Sequence, residues 1–283
     1  MKTAFIGAGR VGCSIGKYLS ESGIPIIGYY DTIKESADSA AQFTACASFA
    51  SIESLIAQSS LIFLTTPDGL IQPTWEKIRY LPIAGKMICH CSGALPSDAF
   101  TGIAQTGAQG CSLHPMLPFS DRFSSYQQLA HAFFTIEGQE AAVQAVTDLF
   151  QSIGNTVCRI SSECKPSYHA AASILSNQVI AVLDTGYRLL ESCGFSREEA
   201  RNATKELVRL NIENVLQRDC DVALTGPIER GDIRTVQKHL DCIPKDDQEM
   251  YQVLGAKLVE IARRKNPGRD YTELAKLLQK NGN

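Results

Sequence analysis

The sequence predicts an α/β domain with a mostly parallel sheet, followed by an all-α C-terminal domain. Three observations carry this. Short apolar stretches alternate with helical patterns from residue 3 to about residue 160. The alternation then stops at Ser161-Ser162-Glu163-Cys164-Lys165, which has no periodicity, and everything after it has a helical period. Strands regularly separated by helices mean βαβ units, whereas a run of helices alone means a separate layer.

Taken in order, TAFIG (3–7) is a short strand that runs into GAGRVG, and a helix follows to about Glu21. Further strands are expected at 24–31, 60–68, 86–94, 110–116, 132–138 and 156–160, with a helix over 140–154. Pro166 suits the first turn of the helix that opens the second part. Ser196-Arg197-Glu198-Glu199 reads as a capping box for a helix over 197–216. Helical patterns also cover 232–240, with Asp232 as N-cap, and 245–264 and 270–280. The domains are therefore expected at 1–162 and 163–283.

Composition narrows the functional classes. The 283 residues are 44% hydrophobic and 20% charged, as in globular proteins. Net charge is −3, from 27 basic and 30 acidic side chains, without a basic run, so neither nucleic acid nor a membrane surface is an expected partner. The apolar part of MKTAFIGAG is too short for a signal peptide, and no apolar run approaches the ~20 residues of a spanning helix. Ten cysteines are scattered without a C-x-x-C pair, and Cys89 and Cys91 should face away from His90 on a strand. No metal site is expected, and free thiols fit a reducing, cytoplasmic setting.

Gly7-Ala8-Gly9-Arg10-Val11-Gly12 matches G-x-G-x-x-G between a strand and a helix, the context of a Rossmann-like dinucleotide site. Gly7 permits the tight turn, Gly9 admits a pyrophosphate and Gly12 allows close helix–strand packing, while the helix N-terminus offers N–H groups to phosphates. Asp31 lies 31 − 12 = 19 residues beyond the last glycine, where a carboxylate accepts from a ribose 2′-OH. That favours NAD over NADP, although Thr32 and Lys34 could serve a 2′-phosphate. Thr65-Thr66-Pro67 ends the 60–68 strand and would lie beside the nicotinamide ribose.

Residues 165–177, KPSYHAAASILSN, pose a different question. His169, Ser173 and Asn177 recur at four-residue steps, each roughly 40° round from the last on an α-helix, so they share one polar face. Such short hydrogen-bonding groups are either satisfied core polar residues or the wall of a site. His169 is of the residue type most often used for proton transfer near neutrality. Lys165 reads as a surface residue at the domain junction. Ser92-Gly93 follows a strand at its C-terminal end, where an N–H and a hydroxyl could hold a carboxylate, and His114 closes the next strand. Thr225, in a turn with Gly226 and Pro227, is a further candidate substrate contact, and Arg230 could bind a carboxylate or form a salt bridge.

Together GAGRVG, CSGAL (91–95), SLHPMLPF (112–119), YHAAASILSN (168–177) and LTGPIERGDIRTVQKHL (224–240) resemble a group of bacterial proteins that pair a Rossmann-like domain with a helical domain of unknown function. The group is similar to the β-hydroxyacid dehydrogenase, ketopantoate reductase and pyrroline-carboxylate reductase superfamily, and includes PanG-type alternative ketopantoate reductases. The resemblance implies an NAD- or NADP-dependent reductase of a small 2-oxo acid, ketopantoate first, acting as a homodimer. In ordinary ketopantoate reductases the first helix of the second domain carries a proton-donating lysine, with asparagines four and eight residues later. The matching register here holds His169, Ser173 and Asn177: the asparagine fits, and the acid becomes His169 or Lys165. Reduction of a cyclic imine of the pyrroline-carboxylate type and a non-catalytic redox sensor are the alternatives.

Overall fold

A computed structural model describes residues 1–279. The chain divides into two compact units, Met1–Asn177 and Gln178–Asn283. The first is built on one eight-stranded sheet, with strands β1 (Thr3–Ile6), β2 (Ile26–Tyr30), β3 (Ala47–Ser48), β4 (Leu61–Leu64), β5 (Met87–His90), β6 (Gln109–Pro115), β7 (Phe133–Gly138) and β8 (Thr156–Arg159). Their order is β3-β2-β1-β4-β5-β6-β7-β8. β1 to β6 run parallel, β7 runs antiparallel to β6, and β8 is parallel to β7.

The parallel part follows from sequence. β1 and β4 are buried at every position, as strands covered on both faces must be. Helices α1 (Arg10–Glu21), α2 (Lys34–Thr44), α3 (Ile52–Gln58), α4 (Asp68–Ile78) and α5 (Glu140–Ser152) provide that cover. Phe5, Tyr29 and Phe63 stack across adjacent strands on one face, while Trp75, Ile88 and Phe100 fill the other. The two-residue β3 escaped the sequence reading because Ala-Ser has no apolar signature.

Antiparallel β7 has a chain-path cause. No α-helix follows β6; residues 116–132, which include a 3-10 helix at Ser125–His131, instead run across α1 toward α2, where Phe123 and Tyr126 pack edge-on against Phe43 at 5.1 and 5.6 Å. Leu129 is buried in the same core, and its carbonyl accepts from Asn155 Nδ2 at 2.8 Å.

The sequence boundary at 162/163 falls one helix before the end of the first unit. Helix α6 (Lys165–Ser173) belongs to the sheet unit because Lys165 and Tyr168 bond to residues of β6 and of the turn after β5. A π-helical turn, Ile174–Gln178, follows.

The second unit contains α7 (Val179–Ser192), α8 (Arg197–Gln217), α9 (Cys220–Ala223), α10 (Pro227–Arg230), α11 (Ile233–Cys242), α12 (Lys245–Lys265) and α13 (Thr272–Leu278). The capping box forms as expected: Glu199 N donates to Ser196 Oγ at 3.2 Å, and Ser196 N donates to Glu199 Oε2 at 2.8 Å. Asp232 caps α11 by accepting from Thr235 N at 3.1 Å. Ile228, Val236, Val259, Ala262, Tyr271 and Leu274 form the core of this unit. The expected helix 270–280 appears as α13; residue 280 lies outside the described residues.

Candidate functional site

The sheet order reverses between β1 and β4, and in open α/β sheets ligands bind beyond the strand C-termini at that point. A cavity of about 970 Å³ lies there, lined by Gly7, Ala8, Gly9, Arg10, Asp31, Thr65, Thr66 and Pro67 among others. Gly7 sits at φ +105°, and a Cβ on it would come within 2.7 Å of the Thr65 backbone. A Cβ on Gly12 would collide with the Gly7 carbonyl and the Thr65 hydroxyl, whereas one on Gly9 would meet nothing within 4 Å. The first and last glycines are thus required by the packing of the protein itself, and the middle one is not, which leaves its backbone open to the cavity.

Two further features fit a dinucleotide. Helix α1 begins at Gly9 with no side-chain cap and no acidic residue in its first turn, so its N–H groups and positive dipole end are free for phosphate. The Thr66 hydroxyl is buried without a hydrogen-bond partner at the cavity wall. Asp31 differs in part from expectation. Its Oδ2 accepts from Ala8 N at 2.7 Å and its Oδ1 from Ile33 N at 2.9 Å, so the carboxylate ties the glycine turn to the end of β2.

A second constellation surrounds the turn after β5. A Cβ on Gly93 would lie 2.6 Å from His169 Nδ1 and 2.8 Å from His114 Nε2, so two imidazoles converge on this glycine. A 2.7 Å hydrogen bond joins His114 Nδ1 to the Tyr168 hydroxyl. Burial, helped by the nearby positive Lys165 and then by His169, lowers the His114 pKa to about 4, which leaves it neutral near pH 7. His169 is exposed, which removes the reading of a satisfied core histidine.

The Ser92 hydroxyl is not free for a ligand, contrary to expectation. It donates to Asp68 Oδ2 at 2.8 Å and accepts from Ala94 N and Leu95 N at 3.2 and 2.9 Å. The hydroxyl holds the turn, and the Gly93 backbone remains for recognition.

Lys165 is neither a surface residue nor placed to meet a ligand. It is 1% exposed; its Nζ donates to the Ser92 carbonyl at 2.8 Å and to Ser112 Oγ, and stands 3.6 Å from Glu137 Oε1. Glu137 in turn accepts from Ser97 N at 2.8 Å and Ser97 Oγ at 2.7 Å. Burial lowers the Lys165 pKa against the pull of Glu137. Sequence reasoning missed Glu137, Ser112 and Tyr168 because each meets its partner over a long stretch of chain. His90 was noticed only as a residue between cysteines. Its Nδ1 accepts from Ser92 N at 3.2 Å, and burial lowers its pKa to about 3.

The π-helical turn also changes the polar face. Its wider i→i+5 winding begins after Ser173, so Asn177 does not follow the ideal α-helical register with His169 and Ser173. Ser173 is half-buried; Asn177 is exposed, and its Oδ1 accepts from Ser176 Oγ at 3.2 Å. Thr225 is exposed in the second unit, ahead of Gly226 at φ +103° and Pro227, the first residue of α10. Among the described residues no group of three or more His, Cys, Asp or Glu side chains is placed to hold a metal, and no helix is long and apolar enough to cross a membrane.

A glycine turn opening on a switch-point cavity, in a sheet unit followed by a helical one, defines a two-part Rossmann-like protein. Residues 1–115 match the Rossmann-like domain, and residues 132–258 match the domain of unknown function DUF2520; the chain carries both. No curated protein matches the chain in sequence. Among solved structures, a candidate NADP oxidoreductase from Bacteroides fragilis is 21% identical, with TM-score 0.72, over 92% of this chain and 98% of its own. A Thermotoga maritima protein is 22% identical, with TM-score 0.70, over 94% and 98%. The pyrroline carboxylate reductase of Plasmodium falciparum, solved with NADP bound, is 16% identical, with TM-score 0.61, over 95% and 98%. These matches agree with the resemblance drawn from the sequence.

Proposed function

We propose that the protein is an NAD(P)H-dependent reductase of a small carbonyl carboxylate, with ketopantoate (2-dehydropantoate) the first 2-oxo acid to try. The observation that carries this reading is the convergence of His114 and His169 on Gly93, in the same sheet unit as the glycine-turn cavity. A nucleotide sensor needs the cavity alone; it does not need two imidazoles on the turn of a third strand.

Bound NAD(P)H would supply the hydride. The residues of this chain then have separable tasks. Gly7–Gly12 and the α1 N-terminus hold the pyrophosphate, and Thr65-Thr66-Pro67 borders the ribose next to the nicotinamide. The Gly93 backbone orients the substrate carboxylate. Exposed His169 gives its proton to the substrate oxygen. Neutral His114, fixed by Tyr168, accepts or donates a hydrogen bond without itself ionising. Ser173 and Asn177 orient the substrate, and Lys165 positions the turn from beneath through the Ser92 carbonyl.

Reduction of a cyclic imine is the second reading, favoured by fold neighbours that include an imine reductase from Pseudomonas sp. and pyrroline carboxylate reductases. The same proton donor would then serve an imine nitrogen. Following NADH and NADPH oxidation at 340 nm against a panel of 2-oxo acids and cyclic imines separates the two. Turnover on neither class, with dinucleotide still bound, would leave the sensor reading standing. We also place the protein in the cytoplasm and as a homodimer, the latter because Leu175 and Leu216 are 75% and 80% exposed on helical surfaces.

A further inference from the structure

Arg122 has no place in the arrangement above. It lies in the segment that leaves β6 and crosses α1, far along the chain from the glycine turn, yet it lines the same cavity beside Asp31, Thr32, Ile33 and Ser36. Its Nη2 donates to the Ser36 carbonyl at 2.6 Å, and its guanidinium stands 5.1 Å from the Phe123 ring centroid. Its Nε is buried, and the guanidinium also stands against the thiol of buried Cys13. It forms no ion pair among the described residues. The adjacent carboxylate is turned away: Asp121 Oδ1 accepts from Phe123 N, Ser124 N and Ser124 Oγ at 2.8–2.9 Å.

A half-buried guanidinium that lines a cavity and has no ion-pair partner there calls for an anion. Its location says which. The end of β2 and the start of α2 are where the adenosine ribose of a bound dinucleotide lies, and an arginine near that point accommodates a 2′-phosphate. Helix α2 starts at Ile33 without a side-chain cap, and the Thr32 hydroxyl is exposed beside it. Asp31 opposes a phosphate, but both of its oxygens accept backbone N–H groups, which disperses its charge.

We propose that Arg122 reads the 2′-phosphate of the dinucleotide and makes the protein selective for NADP(H) over NAD(H). This rests on the dinucleotide reading of the cavity and reverses the preference that Asp31 alone implies.

The test is titration of the full chain with NADP⁺, NAD⁺, 2′,5′-ADP and 5′-AMP by calorimetry. The wild type should bind NADP⁺ more tightly than NAD⁺, and 2′,5′-ADP more tightly than 5′-AMP, by about 10–100-fold, the usual worth of one hydrogen-bonded charge. Arg122→Gln should erase both differences while changing NAD⁺ affinity less than about threefold, and Arg122→Lys should restore part of them. Thr32→Glu leaves the Arg122 contacts intact and should weaken NADP⁺ selectively, which covers a folding defect in the arginine variants. Tighter NAD⁺ binding by the wild type, or equal weakening of both dinucleotides in Arg122→Gln, would overturn the inference and leave the dinucleotide site intact. Binding of neither dinucleotide would remove both.

Discussion

Lys165 Nζ stands 3.6 Å from Glu137 Oε1, and the two side chains are 1% and 3% exposed. This buried pair joins α6 to β7 beneath the Ser92–Gly93 turn. Breaking one partner leaves an uncompensated charge in a dry site, which costs about 3–5 kcal/mol. Lys165→Met and Glu137→Leu should each lower the melting temperature clearly, and the double variant should lose less than the sum of the two. Strict additivity in thermal or urea melts would mean that the charges do not interact.

For His169 the expectation is the opposite pattern. The side chain is exposed, so His169→Asn should melt with the wild type. Turnover on the identified substrate should fall by roughly 10²–10⁴-fold, the usual contribution of a general acid. A His169→Asn enzyme with full turnover would move the proton to water.

Glycines 9 and 12 should part company. Gly9→Ala fills only open space, so the fold should be kept while dinucleotide affinity drops on the order of tenfold or more. Gly12→Ala drives a methyl into the Gly7 carbonyl and the Thr65 hydroxyl and should lose stability as well. Equal melting temperatures for the two variants would contradict the packing described here.

His114 and His90 make the folded state sensitive to acid. Their pKa values in the fold are lowered to about 4 and about 3, against an ordinary 6.5. Below pH 6.5 the unfolded chain takes up protons that the folded chain refuses. Stability is therefore full above that value and falls as pH drops toward 4, by at most about 1.4 kcal/mol per pH unit for each group. Urea melts between pH 7 and 4.5 should show this slope, and His114→Gln should flatten it. An unchanged slope in that variant would exclude His114 as a source.

Leu207, Leu210, Leu216 and Ile180 are exposed on helices of the second unit, and the proposed homodimer would cover such side chains. Light scattering at micromolar concentration should return twice the chain mass of 30.8 kDa. A monomer would show that these side chains serve another purpose.

Much of the sheet unit was readable beforehand because its signals are local. An apolar run of four or five residues, a glycine turn or a Ser-x-x-Glu box depends on neighbours a few positions away, and β1, α1 and the Ser196 cap appear where the sequence puts them. Asp31 was legible in position but not in its bonds, since its partners are backbone N–H groups that carry no side-chain signature.

The sequence by itself determined the strand–turn–helix at Gly7–Gly12, the change from α/β to all-α, and the presence of His169 on a small-residue helix. Only the tertiary structure decided what surrounds them. Lys165 is buried against Glu137, His114 is brought to Gly93 beside His169, and Arg122 is carried across α1 to the end of β2. Those meetings depend on strand order and on the path of residues 116–132. A charge's effect depends on which partner and how much water that path leaves beside it, neither of which is written in the residues that flank it.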